Sequence, residues 1–471
     1  MVPYSNYDVP YGESLLDFIS YSFSHFRTRI AFQMESKSIS YEKLINDIIC
    51  VANSFQTNGR AYILINCKNV YFYALGVYSI IISNNIVLLH NPNLLELELP
   101  FKKIDKMLVI DDQYVENVLN HKSTPSFKDL PTSNFLEVCM IACSSGTTGD
   151  CKGVKLSQRN LCQDTIGGME KYKYDVGARY INILPYYHLF GIVADLLGPI
   201  YSGGTICIPS NQYSFFPALN QYKPTVLNAP PIIVEHLAHL IANSDCVESV
   251  TGGELRKIMC AGAHMKEKTI KFLKSKGILV LCAYGLTECS PCISINRDLY
   301  YKVGSVGVPL DCIKIKFQDG EICVKGSTIM IGYAFDNKST NQKIVDGWLH
   351  TGDLGYIDQD GFLYITGRID NMIILSNGTK YIPEYYENII NQLNFVQESM
   401  IFPYKNEHEQ CLGVIVVIDS IKNKLLAINQ LNEIKMKYRL PLGKIICVTQ
   451  PLPKNRLGKV ERNDDFYTRF V

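Results

Sequence analysis

Residues 138–157 read Val138-Cys139-Met140-Ile141-Ala142, then Cys143-Ser144-Ser145-Gly146-Thr147-Thr148-Gly149-Asp150-Cys151-Lys152-Gly153-Val154, then Lys155-Leu156-Ser157. An apolar run of strand length enters a turn rich in hydroxyls and glycine, and a helical pattern follows. Gly146 and Gly149 let backbone N–H groups turn toward a ligand. Ser144, Ser145, Thr147, Thr148 and Lys152 add donors for oxyanions, above all phosphates. This is not a Walker A loop, because the Gly–Gly spacing and the lysine position do not fit G-x-x-x-x-G-K-[ST]. A P-loop phosphotransferase is therefore disfavoured. Alone, the run also suits a polar surface turn.

Outward from this stretch, short apolar strands alternate with helical patterns. Residues 61–65, 107–110, 225–227 and 278–281 are such strands, which predicts an α/β architecture with largely parallel sheets. Residues 70–89 could be mistaken for a membrane span, but Ser83-Asn84-Asn85 breaks them. Neither half reaches the roughly 18–20 apolar residues a span needs. A buried helix over 70–82 and a strand over 86–89 are expected. From about 303 to 364, Gly and Asp turns separate strands at 313–317, 321–324 and 362–365, which reads as an antiparallel, barrel-like subdomain. After Gly367-Arg368 the alternation returns: a helix near 384–393, a strand at 411–418, a helix at 422–437. The expected fold class is α/β, with a large domain over 1–368, a junction at 369–371 and a small α/β domain over 372–471.

Composition narrows the function classes. The chain has 471 residues, 47% hydrophobic and 19% charged, enough to bury a substantial core. Lys+Arg number 46 and Asp+Glu 45, so no net field favours nucleic acid or anionic lipid. The 16 cysteines are scattered; Cys289 and Cys292 form one C-x-x-C without a second pair at zinc-ribbon spacing. No basic segment followed by an apolar stretch opens the sequence, and a reducing, cytoplasmic setting is expected.

Five further stretches carry chemistry. They are Pro185-Tyr186-Tyr187-His188-Leu189-Phe190-Gly191, Ala283-Tyr284-Gly285-Leu286-Thr287-Glu288, Trp348-Leu349-His350-Thr351-Gly352-Asp353, Gly367-Arg368-Ile369-Asp370, and Pro453-Lys454-Asn455-Arg456-Leu457-Gly458-Lys459-Val460-Glu461-Arg462. With the loop at 144–152, and in this order, they closely resemble the adenylate-forming (AMP-binding) superfamily. That superfamily includes acyl- and aryl-CoA synthetases, peptide-synthetase adenylation domains and firefly-type luciferases. The resemblance runs from Ser40-Tyr41-Glu42 to Arg462. Each motif alone is weak; together they are specific.

The resemblance implies a role for each residue. The 144–152 loop would hold the ATP triphosphate. Tyr284 would stack on adenine, with Gly285 at its side and Gly262 and Ala263 nearby. Thr287 would touch the α-phosphate, and Glu288 would hold Mg²⁺ with a hydroxyl of Ser145 or Thr147. Asp353 would accept the ribose hydroxyls, and Arg368 would approach ribose and phosphate. His188 and Gly191 would line the acid pocket. Lys459 would bridge the substrate carboxylate and the α-phosphate.

The implied reaction has two steps. A carboxylic acid and MgATP give an acyl-adenylate and pyrophosphate; a thiol of CoA, or the phosphopantetheine of a carrier protein, then takes the acyl group. The resemblance also implies that the small domain rotates between steps about Asp370. Rotation removes Lys459 and brings in Leu375-Ser376-Asn377-Gly378-Thr379-Lys380, with Gly378 beside the thiol arm. Tyr187-His188, where amino-acid-activating relatives carry an Asp, and Leu286, where they carry Pro, argue against an amino-acid substrate. The 284–296 stretch looks like the fatty-acyl branch. An aryl acid is the alternative, and so is a catalytically silent member. Cys151 in place of the usual Pro, Asp370-Asn371 at the junction, and the short stretch between Pro92 and Ser144 depart from the family pattern.

Overall fold

The computed structural model describes residues 14–55, 59–121, 130–131, 134–144, 151–172, 175–210, 215–405, 410–454, 460 and 462. Helix Val70–Ile82 illustrates how its first part is built. Asn69 caps it by accepting from Tyr71 N and Phe72 N, and nearly every side chain is buried. It connects the parallel strands Tyr62–Ile65 and Ile86–Leu89. A helix apolar on all sides belongs inside a protein, and no described helix is long and apolar enough to cross a membrane.

These strands belong to a six-stranded sheet. Its order is Gly332–Tyr333, Lys152–Ser157, Val138–Ser144, Ile86–Leu89, Tyr62–Ile65 and Leu108–Ile110. The first two neighbours run antiparallel and the rest parallel. In the hairpin of Val138–Ser144 and Lys152–Ser157, Ser144 pairs with Lys152, so the two ends of the candidate phosphate loop stand together at the sheet's carboxyl side. Gly153 is sterically required there, since a Cβ would lie 2.9 Å from Pro100 Cβ and 3.0 Å from Ile141 Cγ2.

A nine-stranded sheet lies alongside. Leu279–Gly285, Lys257–Cys260, Val226–Ala229, Arg179–Ile181, Thr205–Cys207 and Ile30–Gln33 are parallel, with antiparallel strands at both edges. One core cluster with many Ile, Leu and Tyr side chains joins the two sheets. Each such side chain contributes about 1.5–3 kcal/mol when fully buried.

The stretch read as barrel-like forms a five-stranded antiparallel sheet. Glu321–Gly326 pairs with Ile313–Gln318 and Trp348–Ile357, and the latter pairs with Ile344–Val345 and Leu363–Arg368. Asp319 and Gly320 close its first hairpin with φ of 51° and 83°, the left-handed pair a two-residue turn requires.

Beyond Arg368 a 3₁₀ turn, Ile369–Asn371, leads to helix Pro383–Ile390. A mixed sheet of Val396–Lys405, Gln410–Ile418 and Leu442–Val448 and helix Lys424–Tyr438 follow. Phe395, Ile401, Leu412, Val414 and Leu431 give this part its own core. It rests on the larger part through Lys268 Nζ, which donates to Val396 O at 3.1 Å. Gly367 allows a close approach, since a Cβ there would lie 2.2 Å from Ile382 Cγ2.

One element differs in kind from a plain apolar helix at 189–200. Gly191–Leu197 is π-helical, between α-helical Leu189 and Phe190 and the α-helix Gly198–Tyr201. The wide turn starts where Gly191 presses on Pro185; a Cβ would lie 2.4 Å from its carbonyl oxygen. It buries Asp195 completely. π-turns frequently mark functional sites.

Candidate active site

Strand Leu279–Gly285 is the inner strand that delivers Tyr284, and the 3₁₀ turn Thr287–Cys289 that follows presents Glu288. The chain doubles back so tightly that a Cβ on Gly285 would lie 1.7 Å from Pro291 O. Gly285 is thus demanded by backbone packing. Three bonds fix the turn: Met330 N to Glu288 O at 2.9 Å, Ser290 Oγ to Thr328 O at 2.7 Å, and Cys292 N to Asp164 Oδ1 at 2.9 Å. Asp164 is fully buried, and burial pushes its pKa well up.

Two polar chains meet at this turn. In the first, the Tyr284 hydroxyl donates to Asp353 Oδ2 at 2.6 Å and Arg368 Nη1 donates to Asp353 Oδ1 at 3.0 Å. Asp353 and Arg368 are opposite on the ladder. Arg368 Nη2 also reaches Asp370 Oδ2 at 3.2 Å, tying the junction to the site. Burial first, and the Asp353 carboxylate second, push the Tyr284 phenol well up. Burial opposes the Arg368 cation, but Asp353 and Asp370 outweigh it and raise its pKa.

In the second chain, Tyr333 Oη donates to Glu288 Oε1 at 2.8 Å. Lys152 Nζ lies 5.0 Å from the centre of the Tyr333 ring and donates to Ser339 Oγ at 3.0 Å. Asp336 caps the helix that carries Ser339. Ser144 is buried at the loop's entrance. The strand bearing it packs against the Glu288 turn, so the loop's root, Lys152, Glu288 and Tyr333 form one neighbourhood.

The acid-pocket candidates lie on the segment that leads into the π-helical turn. The rings of Tyr187 and His188 are 4.7 Å apart. Desolvation by the surrounding protein lowers the His188 pKa although part of the residue is exposed, and Glu98 opposes the shift. Within that turn, Asn228 Nδ2 donates to Asp195 Oδ1 at 2.8 Å and Leu184 N donates to Oδ2 at 3.3 Å. Burial pushes Asp195 up to about 7 against those bonds.

Gly262, at φ +92° with open space around its Cβ position, and Ala263 are exposed after strand Lys257–Cys260. Thr287 sits beside Glu288, half-buried. Gly378, at φ +79°, is exposed, its N–H donates to Leu375 O at 2.8 Å, and a Cβ there would meet nothing within 4 Å. Ser145, Gly146, Thr147, Thr148, Gly149 and Lys459 lie outside the described residues. Lys454 and Val460 form an antiparallel bridge. Arg462 Nη2 meets the buried Glu387 Oε2 at 2.5 Å. Sequence reasoning missed Tyr333, Asp195 and Asn228. No local motif marks them, because their partners are distant in sequence or lie inside an apolar run.

Residues 85–334 match the model of the family described as AMP-binding enzyme. The long-chain-fatty-acid–CoA ligase of Salmonella typhimurium is 29% identical over 355 residues, covering 70% of this chain and 61% of that protein. The chain thus spans about three fifths of the length of that relative. The 2-succinylbenzoate–CoA ligase of Bacillus cereus is 25% identical over 478 residues, 93% of this chain and 95% of that one. Among solved structures, ATP-bound MatB from Rhodopseudomonas palustris superposes with a TM-score of 0.83 at 21% identity, covering 96% of this chain and 98% of its own. That likeness is one of fold.

Proposed function

Because the chain belongs to the AMP-binding enzyme family, we propose that it is an ATP-dependent acid–thiol ligase working through an acyl-adenylate. The observation that carries this reading is the junction of the two polar chains. An aromatic ring, a carboxylate and a guanidinium (Tyr284, Asp353, Arg368) suit a nucleoside, and they sit beside an acid and an ammonium (Glu288, Lys152) suited to a metal-bound triphosphate.

In this reading Tyr284 stacks on adenine and Asp353 accepts the ribose hydroxyls. A carboxylate offers about four acceptor sites, enough for Tyr284, Arg368 and a sugar together. Glu288 fits a Mg²⁺ ligand: among the described residues only its Oε1 is engaged, and one carboxylate plus phosphate oxygens is the usual Mg²⁺ set. When bound, the ion would neutralise triphosphate charge. Lys152 and the 145–149 stretch hold the β- and γ-phosphates, and Thr287 the α-phosphate. Lys459 is assigned the role of bridging the carboxylate and the α-phosphate. Attack joins two anions, so a positioned cation in a dry site counts most in the transition state.

The carboxylate oxygen displaces pyrophosphate. The thiol then adds to the acyl carbon, and AMP leaves. Asp370 serves as the hinge of a mobile C-terminal part, 372–471, and Gly378 borders the thiol arm. The acid is a fatty acid, in keeping with the long-chain ligase match. The acceptor is CoA, as in the ligases the chain resembles, with a carrier protein the other candidate. The 2-succinylbenzoate ligase match, which covers more of the chain, supports an aryl acid as the second reading. The sixteen thiols, none in a disulfide, suit a reducing cytoplasm.

The test is ATP–pyrophosphate exchange across fatty acids of graded length and a set of aryl acids, followed by thioester assays with CoA and with a carrier protein. Acid-dependent exchange with AMP as product supports the proposal. ADP formation would indicate phosphotransfer, and absence of acid-dependent exchange a silent binding protein; either overturns it.

A further inference from the structure

Glu321, Cys323 and His350 bring a carboxylate, a thiol and an imidazole together on the antiparallel sheet, and the proposed ligase chemistry uses none of them. Cys323 stands directly opposite His350 on the ladder. Between Glu321 and Cys323 the register shifts, because strand Trp348–Ile357 carries extra residues there, with Gly352 at φ +79°. Bulges of this kind re-aim side chains. Here the bulge also offers Gly352 N–H to Glu321 Oε1 at 2.8 Å.

Glu321 Oε2 lies 2.8 Å from His350 Nδ1, and Cys323 Sγ lies 3.5 Å from the same nitrogen. One donor atom from each side chain lies within 4.8 Å of the others. The shared nitrogen decides between two chemistries. In a nucleophile–His–carboxylate relay the two partners engage opposite ring nitrogens. Sulfur, nitrogen and oxygen converging on one point is instead the donor arrangement of a metal site.

We propose that Glu321, Cys323 and His350 form a Zn²⁺-binding site with water as the fourth ligand. Zn–S near 2.3 Å and Zn–N near 2.0–2.1 Å at a tetrahedral angle place sulfur and nitrogen about 3.5 Å apart, which is the separation present. The oxygen and nitrogen would open from hydrogen-bonding distance to about 3.3 Å. A thiolate among the ligands selects Zn²⁺ over Mg²⁺ or Ca²⁺. Binding displaces the thiol proton and any proton on Nδ1. Cys323 is buried, while the His350 and Glu321 side chains are 20% and 15% exposed, so an ion has a path in. The Gly352 N–H orients the carboxylate from behind, as outer-shell partners do. Since Gly352 precedes Asp353, an ion here would also fix the bulge that carries Asp353.

The test uses the full chain stripped with a chelator and titrated with Co²⁺ as the spectroscopic probe. One equivalent should bind with a thiolate-to-cobalt charge-transfer band, and Zn²⁺ should displace it. Cys323→Ser should lose the band, and His350→Gln, at a partly exposed position, should weaken binding by at least about tenfold. Cys447→Ser, in the C-terminal sheet, should change neither. Absence of the band in the parent protein, or a band and affinity unchanged in both Cys323→Ser and His350→Gln, would overturn the proposal.

Discussion

The Tyr284 hydroxyl donates to Asp353 at 2.6 Å, joining a residue at the end of the parallel sheet to one on the antiparallel sheet. Asp353 is therefore held in place before any nucleotide arrives. Asp353→Ala removes the acceptor that Tyr284 and Arg368 share and that the proposed function assigns to the sugar. A hydrogen bond to a charged group contributes about 1.5–3 kcal/mol, so kcat/KM for ATP should fall about 10–10²-fold. Tyr284→Phe keeps the stacking ring and should cost less. ATP-dependence of pyrophosphate exchange checks both; parent-like kinetics in Asp353→Ala would remove Asp353 from the nucleotide site.

Lys459→Ala should cut adenylate formation by roughly 10²–10³-fold, the usual cost of losing one transition-state donor. Thioester formation from supplied acyl-AMP should stay near the parent rate. Rapid-quench assays of the separate half-reactions check this, and equal loss in both would contradict the assigned role.

Asp370→Pro should slow the thiol step more than the adenylation step. Asp370 accepts from Arg368 and lies in the turn Ile369–Asn371 between the two parts. A proline there restricts the dihedral change that a hinge must absorb. Half-reactions that both run at the parent rate would show that the hinge lies elsewhere.

Asp195 makes stability depend on pH. Its pKa is raised from 3.8 to about 7 by burial in the π-helical turn. Between those values the folded protein keeps a proton that the unfolded chain has lost, so this residue's contribution falls as pH rises through the window. Above and below the window it is flat. The change is on the order of 4 kcal/mol. Asp195→Asn keeps a neutral side chain throughout, so urea unfolding should show the variant gaining on the parent as pH rises from about 4 to about 7. A pH-independent difference would contradict this.

The alternation of apolar strands and helices was legible because it is local. Helix Val70–Ile82 and strand Ile86–Leu89 stand where the pattern of apolar residues and the Ser83-Asn84-Asn85 break place them. Tyr284, Glu288 and Asp353 stood out because each lies in a stretch of distinctive turn and polar residues. Tyr333 did not, since its meeting with Glu288 spans 45 positions and arises only from sheet packing. Asp195 hid in an apolar run whose helical periodicity the π-turn interrupts. Cys323 and His350, 27 positions apart, meet only through strand register. A spacing search for zinc ligands finds no such pair.

The central claim is that a substrate carboxylate oxygen attacks the α-phosphorus of ATP. The most direct measurement uses an acid labelled with ¹⁸O in its carboxylate, turned over with ATP and thiol, and reads the product nucleotide by mass spectrometry. The bond that breaks in the thiol step leaves the attacking oxygen on phosphorus, so AMP should carry one ¹⁸O atom. Unlabelled AMP, or ADP with labelled phosphate, would contradict the account.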